Sequence, residues 1–184
     1  MKNIILMGTS RAGKTSLATE ISKKLGYNIV SLDSLVSAFG KVYPELGINH
    51  ANRDGTAVKN LSKFLWAYIK NLVYFQNVNY VFEGAYFDMD DIINLNKKFI
   101  VILLIHGLNA KKIFENIKNY DTEKDWTKKK SDQELLEYCN NLENMDKFYE
   151  AHCPDNILIY KTGKNRKKVF QEIIKLIERI EQKD

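Results

Sequence analysis

"GTSRAGKTS", residues 8–16, decides how this chain is read. It contains Gly8-x-x-x-x-Gly13-Lys14-Thr15, a spacing whose glycines let the backbone wrap until consecutive N–H groups point at phosphate oxygens. The apolar run "NIILMG" (3–8) precedes it, and Leu17, Ala18, Ile21 and Leu25 follow at helical spacing. Strand before and helix after are the context the pattern needs. The helix N-terminus contributes partial positive charge, Lys14 is placed to reach the terminal phosphates, and the Thr15 hydroxyl is suited to Mg²⁺. Gly8, Ser10, Arg11, Ala12, Gly13, Lys14, Thr15 and Ser16 form the expected nucleotide-binding loop. Ser10 and Arg11 are not demanded by the pattern, and Arg11 is read as reaching nucleotide or, by preference, solvent.

Outward from this loop, strand-length apolar runs alternate with helix-like segments. Gly26 ends the first helix and "YNIVSLD" (27–33) reads as a second strand closed by Asp33. A helix is expected over 56–75 from the stripe Val58, Leu61, Leu65, Ile69 and Leu72, with the ring cluster Phe64, Trp66, Tyr68, Tyr74 and Phe75 mostly in core. "NYVFEG" (79–84) is the third strand, and "KFIVILLIH" (98–106) the fourth and most apolar, as a sheet buried on both faces requires. Residues 107–130 read as helical and lysine-rich, and Ser131-Asp132-Gln133-Glu134 as a capping box opening a helix through about Tyr149. "NILIYKTG" (156–163) supplies a fifth strand, and a last helix from Arg166 turns Val169, Ile173, Ile174, Ile177 and Ile180 inward. Such alternation predicts a five-stranded parallel sheet with helices on both faces, in one domain over 1–184.

The composition of 184 residues, 45% hydrophobic and 28% charged, suits one globular domain. No apolar window is long enough to cross a membrane, and "IILMG" is too short for a signal-peptide core, so a cytoplasmic location is expected. Cys139 and Cys153 fit that compartment, and their spacing with His152 argues against a structural zinc site. The net charge of +5 comes from scattered lysines, with only four arginines, and no nucleic-acid module appears. Solvated lysine faces or an anionic small substrate account for it better than nucleic acid does.

Parallel sheets of this kind place ligands beyond the carboxyl ends of their strands. Asp33, beside the phosphate loop, is therefore read as a base for an acceptor hydroxyl or an orienter of Mg²⁺; the plain alternative is a helix N-cap. Glu83, followed by Gly84, is read as a metal-water ligand or acceptor-site acid; the plain alternative is an ordinary turn. Asp88, Asp90 and Asp91 are read as charge at a helix start, and His106 as packed or hydrogen-bonded. His50 has no visible partner.

On "GTSRAGKTS", "SLDSL" and "VFEG" the chain resembles the small P-loop kinases, the superfamily of nucleoside monophosphate kinases, shikimate kinase and chloramphenicol phosphotransferase. The resemblance implies a three-layer P-loop NTPase fold and an ATP-dependent, Mg²⁺-requiring phosphotransferase acting on a small-molecule acceptor. It implies Lys14 and Asp33 as catalytic, Thr15 and Glu83 at the metal, and Asp33, Arg53, Glu83 and Gly84 at the acceptor. It also implies an acceptor-binding region over about 34–75, a lid over about 107–150, and Thr162, Gly163 and Lys164 against the base. The lid stretch "NYDTEKDWTKKKSD" (119–132) departs from the superfamily in carrying no arginine; Lys124, Lys128, Lys129 and Lys130 are the available cations, and lysine lacks the bidentate fork. Together with Arg53 as the acceptor region's only arginine, this favours an acceptor less charged than a nucleoside monophosphate. The competing reading is an NTPase or switch without a small acceptor; no guanine-reading Asn-Lys-x-Asp pattern supports it. Oligomeric state and acceptor identity stay open at this level.

Overall fold

The computed structural model describes residues 2–47, 55–75, 78–84, 98–155 and 157–182, with backbone only for 55–60. His50, Arg53, Asp88, Asp90 and Asp91 lie outside the described residues. Five parallel strands form one sheet: β1 (Asn3–Gly8), β2 (Asn28–Ser31), β3 (Tyr80–Glu83), β4 (Phe99–Ile105) and β5 (Leu158–Lys161), in the order β2-β3-β1-β4-β5. The described helices are α1 (Lys14–Leu25), α2 (Leu32–Val42), α3 (Gly55–Phe75), α4 (Ala110–Tyr120), α5 (Asp132–His152) and α6 (Arg166–Glu181).

Strand periodicity divides the core in two. Ile5, Met7, Val101, Leu103 and Ile105 point to one face and pack with Val36 of α2, Leu65 and Ile69 of α3 and Tyr149 of α5. Their neighbours Ile4, Leu6, Ile100, Ile102 and Leu104 point to the other, under Leu17 and Ile21 of α1 and Ile173 and Ile177 of α6. β4 is buried at every residue, which is why it reads as an unbroken apolar run. A third cluster joins α4 to α5 through Ile113, Ile117, Leu135, Cys139 and Leu142.

Local signals hold at most helix ends. Gly26 caps α1 in the left-handed region at φ 75°, and Ser131 with Glu134 forms a reciprocal capping box on α5. Three expectations are corrected. Asp33 does not close β2: the strand ends at Ser31, which caps α2 by accepting from the Ser34 N–H, and Asp33 sits in that helix's first turn. The segment 107–130 is not continuously helical: α4 stops at Tyr120, and the chain then runs irregularly apart from a 3-10 turn at Trp126–Lys129. Of the ring cluster expected mostly in core, Phe64, Tyr74 and Phe75 are 37%, 82% and 76% exposed, while Trp66 is buried and Tyr68 packs against the core.

Candidate functional site

The loop 8–13 is held open by backbone geometry that few other residues allow. Gly8 has φ 122°, and a Cβ there would lie 1.9 Å from the Leu104 carbonyl oxygen on the neighbouring strand. Gly13 has φ 101° and is packed by Phe170 and Arg166 of α6. The Thr9 N–H donates to the Leu104 carbonyl at 2.9 Å and the Ala12 N–H to the Thr9 carbonyl at 3.2 Å, closing the turn. Lys14 is buried, its ammonium donating to the carbonyls of Gly8 (3.1 Å) and Thr9 (2.9 Å). α2, α4, α5 and α6 all carry side-chain caps; α1, which starts from this loop, has none. Its first-turn N–H groups therefore face the loop without a side-chain acceptor at the cap.

Beside the loop, the sheet brings three acidic or hydroxyl groups to one edge. Glu83 ends β3 between Leu6 of β1 and Ser31 of β2 in register, and is 2% exposed. Its carboxylate accepts from the Thr15 hydroxyl at 3.1 Å. The Gly84 N–H continues the ladder, donating to the Leu6 carbonyl at 3.0 Å. Asp33, two residues beyond Ser31, is exposed at the same end of the sheet. Lys14, Thr15, Glu83 and Asp33 thus belong to three adjoining strand ends, β1, β3 and β2.

On the other side of the loop lies a cavity of about 590 Å³ lined by Arg11, Ser16, His106, Asp121, Lys164 and Arg166 among others. Arg11, with φ 63°, does not face bulk solvent: its guanidinium pairs with Asp121 and, at 3.3 Å, with Asp125, both from the segment after α4. Arg166 donates to the Arg11 carbonyl at 3.3 Å, and burial followed by the nearby Arg11 charge lowers its pKa. Two arginines thus line this cavity: Arg11, expected in the loop, and Arg166 of α6, which the sequence reading did not place here. Lys130 instead lies over the Trp126 ring at 5.7 Å.

The loop after β5 is also placed here, with roles set by packing. The Thr162 hydroxyl reaches the carbonyls of Ala12 (2.8 Å) and Ile105 (3.1 Å), tying β5 to the phosphate loop. A Cβ on Gly163 would lie 2.4 Å from Leu108 and 2.5 Å from the His106 carbonyl, so that residue must be glycine for close packing. His106 is buried, and its Nε2 lies 2.9 Å from the Ser10 carbonyl; since a carbonyl only accepts, Nε2 carries the proton. Burial, above all, lowers its pKa. Asp146, buried on α5, accepts from the Thr9 hydroxyl and from the Gly107 N–H. The sequence reading missed it. The available signal was a charged residue within the α5 stripe Leu135, Cys139, Leu142, Asp146, Tyr149.

A glycine-bounded phosphate loop between a central strand and an uncapped helix, in a parallel sheet ordered β2-β3-β1-β4-β5, defines a P-loop α/β protein. No known family profile and no curated protein matches the chain. Solved structures do. The shikimate kinase from Bacteroides thetaiotaomicron aligns over 98% of both chains with a TM-score of 0.64 at 15% identity. A gluconokinase from Sinorhizobium meliloti 1021 aligns over 97% of this chain and 93% of its own, with a TM-score of 0.64 at 15% identity. Deoxyadenosine kinase from M. mycoides aligns over 97% and 100%, with a TM-score of 0.52 at 22% identity. The chain has the fold of the small P-loop kinases, along its whole described length.

Proposed function

We propose that the protein is a kinase that moves the γ-phosphoryl group of ATP to a hydroxyl of a small molecule. The observation that carries this is the edge where the phosphate loop, the Thr15–Glu83 pair and Asp33 meet on adjoining strand ends. The loop amides and the first turn of α1 bind the phosphates. Lys14 exchanges its two carbonyl acceptors for phosphate oxygens and offsets charge on the transferred group. Asp33, exposed beside that edge, takes the proton as the acceptor oxygen bonds to the γ-phosphorus and the bond to the β-phosphate oxygen breaks, releasing ADP.

The Thr15 hydroxyl and the Glu83 carboxylate, 3.1 Å apart, are hard oxygen donors and fit Mg²⁺. When bound there, Mg²⁺ supplies charge neutralisation at the phosphate oxygens. The cavity between Arg11 and Lys164 takes the rest of the nucleotide. Arg53, Glu83 and Gly84 serve the acceptor, within an acceptor region at about 34–75 and a lid at about 107–150 of a single domain. The comparison proteins are a shikimate kinase, a gluconokinase and a deoxyadenosine kinase, names that support a small acceptor here. Among the described residues no helix is long and apolar enough to cross a membrane.

The test is ADP release with ATP and Mg²⁺ against nucleosides, nucleoside monophosphates, sugars, hydroxy acids and phenicol or aminoglycoside antibiotics. Stimulation by one class, lost in Lys14→Ala and Asp33→Asn while Asp33→Asn binds ATP within a few fold of wild type, establishes the reading. Acceptor-independent hydrolysis that Asp33→Asn leaves unchanged overturns it in favour of an NTPase.

A further inference from the structure

We infer that Asp146 is a positioning residue for the phosphate loop, acting on it from a helix 137 residues away in sequence. Asp146 belongs to a stripe of buried residues on α5 that is otherwise Leu135, Cys139, Leu142 and Tyr149. A carboxylate in such a stripe is costly unless its oxygens are satisfied. Both are. Oδ1 accepts from the Thr9 hydroxyl at 2.5 Å, and Oδ2 from the Gly107 N–H at 2.8 Å. The two donors sit on different segments, Thr9 just after β1 and Gly107 just after β4, so one side chain clamps the exits of the two central strands.

Thr9 is the residue through which the clamp reaches the site. Its N–H is fixed to the Leu104 carbonyl, and its own carbonyl accepts from the Ala12 N–H and from the Lys14 ammonium. The hydroxyl bond to Asp146 removes the remaining freedom about Thr9 and so sets where the loop carbonyls, and with them Lys14, are held. The carboxylate also bears electrostatically on His106, which hydrogen-bonds the next loop carbonyl, at Ser10. The clamp thus bears on Thr9 directly, and on Lys14 and the Ser10 carbonyl through Thr9 and His106.

The loop-positioning role stands on these contacts; only its effect on affinity rests on the nucleotide-binding reading. The full chain is compared with Thr9→Val, Thr9→Ser and Asp146→Asn. Valine keeps the shape of threonine without its hydroxyl. Asparagine keeps the shape of aspartate but removes its charge. With its oxygen on the Gly107 N–H, its amide can donate to the Thr9 hydroxyl, so the surviving contact is a weaker neutral bond. Amide hydrogen exchange at Ala12 and isothermal titration with Mg·ATP are the readouts. Thr9→Val and Asp146→Asn are expected to speed Ala12 exchange and to weaken ATP binding by about tenfold, the weight of one hydrogen bond to a charged acceptor. Thr9→Ser should restore both, which simple loss of packing would not. Combining Thr9→Val with Asp146→Asn should add little, since both remove the same charge-assisted Thr9–Asp146 bond. Unchanged Ala12 exchange in Thr9→Val overturns the inference, and so does unchanged ATP affinity beside faster exchange. Should Asp146→Asn fail to fold, the Thr9 pair decides. Should the wild type bind no ATP, the proposed function falls, and the exchange comparison alone settles the role of Asp146.

Discussion

Thr162→Val isolates what one hydroxyl does for the phosphate loop. Thr162 is 1% exposed, and its hydroxyl donates to the Ala12 carbonyl at 2.8 Å, linking the end of β5 to the phosphate loop. Valine fills the same volume, so no cavity opens and the change is confined to the lost donor. The Ile105 carbonyl keeps the Thr162 N–H at 2.9 Å, whereas the Ala12 carbonyl loses its side-chain partner in a buried setting. Leaving one such acceptor short costs about 1–3 kcal/mol. For a chain of this size each kcal/mol moves the melting temperature by about 2–4 °C, so a fall of about 2–12 °C is expected. Far-UV circular dichroism during heating measures the shift, and titration with Mg·ATP on the same samples measures affinity. Both should fall together, because the hydroxyl acts by holding the loop, and Thr162→Ser should recover both. A melting temperature within about 1 °C of wild type, with ATP affinity lost, would place the hydroxyl on the ligand and refute the tether.

Gly8→Ala is expected to destabilise by about 2–6 kcal/mol through backbone strain and overlap with the Leu104 carbonyl, read by urea unfolding; a wild-type midpoint would show that β1 and β4 can part without cost. Glu83→Gln should raise the Mg²⁺ concentration for half-maximal activity about 10-fold or more while the thermal midpoint stays near wild type, and an unchanged Mg²⁺ requirement would remove Glu83 from the metal. His106 carries a pH dependence whose sign follows from its lowered pKa. Burial leads, with Arg166 and Lys14 also lowering the pKa and the Ser10 carbonyl and Asp146 opposing them. Between the folded value and the ordinary 6.5 the unfolded chain binds the proton and the folded chain does not, so this contribution is present above 6.5 and is lost as pH falls below it. Unfolding free energies measured from pH 8 to pH 5 should show a decline that His106→Gln lacks; identical slopes would contradict the assignment.

Much of the fold was legible because its signals are local. The glycines at 8 and 13, the unbroken apolar run 98–106 and the Ser131–Glu134 box each act within a few residues, and each lies where the pattern put it. The reading failed where two local signals competed, or where tertiary contacts overrode a local pattern. Ser31 took the cap position from Asp33, and the lysine-rich stretch after Tyr120 left the helix. There Asp121 and Asp125 bind Arg11, and their carboxylates fasten the segment to the loop.

What the amino-acid sequence determined by itself was a parallel sheet and a phosphate loop, since hydrophobic period, glycine conformation and helix polarity are properties of short stretches. Only the tertiary structure decided which distant groups complete that loop. Asp146 from α5, Arg166 from α6 and Thr162 from the end of β5 meet it because the crossovers of a doubly wound sheet return each element to the same edge. Such meetings carry no spacing rule, because they depend on the closure of the whole sheet and not on the residues beside them.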